Sequence, residues 1–109
     1  MERLERHFIG LIIRELDGVK INRACKQIGI NGITVGDMKE EDFLNPEFTL
    51  MILEEVQEIR RALQEHMAEE EASGLYHWLG EYMPSDALTE AMIELNTIIF
   101  DLNELLEEL

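Results

Sequence analysis

The sequence predicts an all-α protein, a helix-turn-helix head followed by a long helical hairpin, that assembles as a homo-oligomer. Three observations carry that expectation. Apolar residues recur at steps of three and four along most of the chain, the period of helices buried on one side. Only two prolines interrupt 109 residues, and Leu, Met and Glu, all good helix formers, are plentiful. Residues 21–38 have the pattern of two short helices joined at Gly29.

Taken in order, residues 2–16 place Leu4, Phe8, Leu11, Ile12 and Leu16 at helical spacing, with Ile9 and Ile13 widening the stripe, and Asp17 and Gly18 end the helix. In the helix-turn-helix unit Cys25 stands four residues before Gly29, where a small side chain lets two helices approach. Ile28, Ile30, Val35 and Met38 supply the apolar contacts. The groove-facing positions would be Asn31, Gly32, Ile33, Gly36 and Asp37, none of them the Arg or Lys that usually reads guanine. The head thus occupies residues 1–44.

Residues 45–109 form the acidic hairpin and oligomerisation region. Asn45 caps, Pro46 fits the first helical turn, and Glu47 meets the positive end of the dipole. A helix of about 26 residues, near 39 Å long, then carries Phe48, Ile52, Val56, Ile59, Leu63 and Met67 on one side. Ser73 and Gly74 interrupt it. Residues 75–83 are the aromatic segment, with Tyr76, Trp78 and Tyr82, and Pro84 closes it. Ser85 or Asp86 caps a last helix in which Leu88, Met92, Leu95, Ile99, Leu102, Leu106 and Leu109 alternate steps of four and three, flanked by Ala91, Ile98 and Leu105. So wide an apolar face needs two neighbours. One is the long helix folded back through residues 73–85, and the other is the head or a second copy of the chain. Leu88, Met92, Leu95, Ile99, Leu102 and Leu106, with Tyr76, Trp78 and Tyr82, are therefore the expected oligomer or partner contacts.

Composition narrows the function. No apolar run approaches the roughly 20 residues that span a bilayer, and the charged N-terminus does not resemble a secretory signal, so the expected location is the cytoplasm of the host cell, away from membranes. A single cysteine forbids an internal disulfide, and Cys25 reads as a small core residue. The formal net charge of −15 is unevenly placed. Residues 1–39 hold Arg3, Arg6, Arg14, Lys20, Arg23, Lys26 and Lys39 against five acids, whereas residues 40–109 hold only Arg60 and Arg61 against nineteen. Such a body repels phosphate and attracts basic partners. Lys20, Arg23, Lys26 and Lys39 flank the helix-turn-helix where phosphates would lie, and Asn31 is the one plausible base reader. A solvated helix face accounts for the same charges. Any DNA binding would be weak, salt-sensitive and poorly specific.

The run Arg23, Ala24, Cys25 through Gly29 and Ile30, then Thr34 and Val35, then residues 40–48 leading into a long charged helix, resembles the N-terminal half of tailed-phage terminase small subunits. The similarity covers roughly residues 19–60. It implies a non-enzymatic ring-forming adaptor that recognises viral DNA and passes it to the packaging motor, with Lys20, Arg23, Lys26, Asn31 and Lys39 toward the DNA. Gly32, Ile33, Gly36 and Asp37 stand where that family has polar, basic or Tyr-Arg residues, which points to reduced base reading.

An alternative is an acidic viral interaction module or inhibitor that imitates a phosphate path and binds a basic protein, keeping the helix-turn-helix shape without reading DNA. Glutamate-rich helix faces also serve solubility alone. Glu55 and Glu58 facing Glu90, Glu94 or Asp101 would resemble the magnesium cluster of all-helical nucleotide pyrophosphatases, but the last helix lacks that family's Glu-x-x-Asp pair. His66 with Glu69 or Glu70 gives two metal ligands and no third. No phosphate loop or nucleophile elbow occurs, so neither enzyme activity nor a cofactor or metal is expected.

Overall fold

The structure, a computed structural model, describes residues 3–33, 36, 38–72 and 86–109. The described residues form four α-helices and one 3₁₀ turn: α1 (Arg3–Leu16), α2 (Val19–Ile28), the 3₁₀ turn (Glu40–Leu44), α3 (Pro46–Ala72) and α4 (Asp86–Glu108). The protein is all-helical. None of these helices is long and apolar enough to cross a membrane.

α4 is the element around which the rest is placed. It packs on α3 along the hairpin, and also on α2 and on α1. Leu88, Ala91, Leu95, Ile98, Leu102 and Leu105 are all buried, and they recur at steps of three and four. Ile9, Ile12 and Leu16 of α1, Ile21, Ala24 and Cys25 of α2, and Ile52, Leu53, Val56, Ile59 and Leu63 of α3 complete the same cluster. One core therefore runs through both the 1–44 and the 45–109 regions, and α1 and α2 are joined chiefly by way of α4.

Local chemistry explains the element ends. α2 stops at Gly29, whose φ of 79° is left-handed and open to glycine at no steric cost. The Ile30 N–H then closes back to the Cys25 carbonyl at 2.9 Å and the Gly29 N–H to the Lys26 carbonyl at 3.2 Å, a Schellman-type stop. α3 begins as its residues dictate, with the Glu47 N–H donating to Asn45 Oδ1 at 3.0 Å. Just before it, Phe43 of the 3₁₀ turn is fully buried, edge-on to Phe48 at 5.1 Å between ring centroids. Thr49, a buried polar residue, donates its hydroxyl to the Phe43 carbonyl at 2.7 Å, so that group is satisfied.

Among the described residues no second helix of the expected head follows the glycine. Asn31, Gly32 and Ile33 have no regular secondary structure and Gly36 lies in a turn; Thr34, Val35 and Asp37 lie outside the described residues. The sequence supplies the reason. Gly32 and Gly36 each cost about 1 kcal/mol against Ala in a helix, and the β-branched run 33–35 is a poor helix former. Ile33 instead enters the core, and the backbone at Gly32 passes so close to Asn22 that a Cβ there would collide with its Oδ1.

Candidate interaction surfaces

The five residues expected to meet DNA are all exposed, but they do not form one reading surface. Lys20, Arg23 and Lys26 follow one another at steps of three, which places them within about 120° of the circumference of α2, opposite Ile21, Ala24 and Cys25. Val19, 67 % exposed, lies on the same side. Asn31 belongs to the irregular segment beyond Gly29. Lys39 stands at the head of the 3₁₀ turn, where its backbone N–H donates to Asp42 Oδ2 at 2.9 Å.

The expected oligomer seam is largely occupied within the chain. Leu88, Leu95 and Leu102 are completely buried in the chain's own core, so they are not available to a second copy. Met92, Ile99 and Leu106 are half-buried at its edge. The apolar residues that α4 does expose are Ile93 and Phe100, at 62 % and 64 %. Tyr76, Trp78 and Tyr82 lie outside the described residues.

Surface charge on the long helices is barely compensated. Arg61 pairs with Glu58 at 2.6 Å and reaches Glu65 at 3.6 Å, while Arg60 donates its Nε to Asn96 Oδ1 at 2.6 Å. Both arginines of the acidic region are thereby engaged on the helices themselves. Glu54, Glu55 and Glu104 are exposed and have no cationic partner among the described residues. His66 and Glu70 meet at 2.8 Å one turn apart. No group of three His, Cys, Asp or Glu side chains that could hold a metal ion occurs among the described residues.

Between α1 and α4 the carboxyl groups crowd. Burial first, and then the charges of Asp101 and Glu94, push the Glu15 carboxyl above the usual range; burial does the same to Asp101. A hydrogen bond between the two carboxyl groups pushes Glu15 further up and holds Asp101 back, and Glu15 Oε2 is buried with no partner among the described residues. Glu94 and Asp101 thus face α1, apart from Glu55 and Glu58 on α3, and the two sets do not meet as a magnesium site would require. Folded Glu15 binds its proton more tightly than the unfolded chain does, so stability falls as pH rises from the unfolded carboxylate range through the raised folded value. Glu15→Gln removes one charge and keeps an N–H for Asp101. At neutral pH it should raise stability by about 0.5 to 1 kcal/mol after solvent screening, a melting shift of a few degrees that disappears toward pH of about 4. A shift independent of pH would sink this account.

Burial also pushes the Cys25 thiol up, and the side chain is 1 % exposed, as suits a packing residue.

One groove of about 590 Å³ opens where the segment after Gly29 runs beside α3. Its walls are Asn31, Gly32 and Ile33 on one side and Glu54, Glu55 and Glu58 on the other, over a floor that includes Met38, Phe48 and Met51. Comparison of the chain with protein-family models, with curated proteins and with solved structures finds no match.

Proposed function

We propose that this chain is a non-enzymatic acidic interaction module that engages a basic partner protein through its glutamate-rich helices. The observation that carries the reading is the charge imbalance of residues 40–109, where nineteen acids meet two arginines, both already engaged along the long helices. An unneutralised field of that size draws in cationic partners and speeds their encounter. The irregular path of residues 31–33 supports the same reading, because a helix-turn-helix reader inserts its second helix into the major groove. The test is capture of a basic partner from nuclease-treated host extract and its reconstitution from purified components. Binding should need no DNA, should weaken steeply with salt, and should fall when Glu104, Glu107 and Glu108 are changed to Lys. Undiminished binding after that reversal would end the proposal.

A second reading is the packaging adaptor implied by the terminase resemblance. It is favoured by the exposed Lys20, Arg23 and Lys26 sharing one face of α2 with no acid paired to them among the described residues. That reading requires a gel shift in about 50 mM salt that disappears when the three are changed to Ala, and an assembly of ring size in solution. Oligomer contacts in such a ring would use Ile93 and Phe100 instead of Leu88, Leu95 and Leu102.

A further inference from the structure

We infer that the groove between the segment after Gly29 and α3 is the specific docking site of this module, and that it takes a short segment of a partner protein bearing a large apolar anchor next to Lys or Arg. The inference rests on the acidic-module reading and goes further, since charge alone requires no particular site.

The groove has an apolar floor and an acidic wall. Phe48, Met51 and Glu55 follow one another at steps of three and four, which sets them along one face of α3. Phe48 is half-buried and Met51 is 46 % exposed, so an uncovered apolar floor lies one helical turn, about 6 Å of backbone rise between Met51 and Glu55, from an exposed acid. Methionine adapts its shape to differing partners. Glu54 and Glu55 have no cation near them among the described residues, while Glu58 is already held by Arg61, so the unmet charge concentrates beside the floor. On the opposite wall, residues 31–33 make no backbone hydrogen bonds among the described residues, which leaves peptide groups for a bound chain. An openly accessible site of this volume, apolar below and anionic at its rim, matches a Lys- or Arg-flanked apolar side chain better than a purely polar basic tract.

The probes are three synthetic 12-residue peptides: two of equal positive charge, one with Leu and Phe anchors among Lys and Arg and one with the anchors changed to Ala, and a third that is acidic. Fluorescence anisotropy and amide-shift mapping should show the anchored basic peptide binding beside Met51 and Glu55. Affinity should fall about tenfold or more with the anchorless peptide, with Met51→Ser and with Glu55→Lys. Glu104→Lys with Glu107→Lys on α4 should change it by less than about threefold. Both groove residues are exposed, so a thermal melt should show the variants folded. Equal binding of the anchored and anchorless peptides, or equal loss from the α4 reversal, overturns the groove and leaves the acidic module standing. Binding of neither basic peptide also overturns it, whatever the extract capture shows.

Discussion

A chain that stops before Asp86 should not fold cooperatively. α4 supplies five large, wholly or almost wholly buried side chains, Leu88, Leu95, Ile98, Leu102 and Leu105, each worth about 1.5 to 3 kcal/mol on burial. Together they contribute roughly as much as the entire net stability of a domain this size, which is about 5 to 15 kcal/mol. The loss is greater than that of one neighbour, because α1, α2 and α3 would each expose the side packed on α4. Circular dichroism of residues 1–85 should show reduced helicity without a sharp melt, and a dye for exposed apolar surface should bind. A sharp melt would show that α1, α2 and α3 hold a core of their own and would overturn the central role of α4.

Phe43→Ala should destabilise the intact chain by about 3 to 5 kcal/mol, seen as a drop in melting temperature on the order of 15 °C. The ring is fully buried and stands edge-on to Phe48, so its removal leaves a cavity where the 3₁₀ turn meets the start of α3. The Thr49 hydroxyl bond to the Phe43 carbonyl and the backbone bonds through Asn45 would then have to hold that junction without its apolar pin. A loss below about 1 kcal/mol would mean that the junction closes over the gap and that Phe43 is not a structural pin.

Much of the fold was legible because short-range rules fixed it. Asn45, Pro46 and Glu47 announced the start of α3, and Gly29 announced a left-handed stop. The apolar period of residues 88–109 likewise marked α4, although its buried line runs through Leu88, Ala91, Leu95, Ile98, Leu102 and Leu105, with Met92, Ile99 and Leu106 at the edge and Leu109 exposed. What covers that face was not legible. A period marks the side of a helix that avoids water, and Leu88, Leu95 and Leu102 would read alike beneath another chain or beneath α1 and α2. The stretch after Gly29 carries opposed signals, because the spacing of Ile30, Val35 and Met38 suits a second helix while Gly32 and Gly36 disfavour one. The candidate surfaces depended still more on long-range placement. Glu15 and Asp101 meet across most of the chain, and Asn31 and Glu55 border one groove from different elements, neither with any local mark.

The central position of α4 also dictates the order in which this protein can mature. The ribosome makes α1, α2 and α3 first, and each must wait with its apolar side uncovered until Asp86–Glu108 has emerged. Until that helix is in place, the apolar sides of α1, α2 and α3 that it covers are open to aggregation and proteolysis.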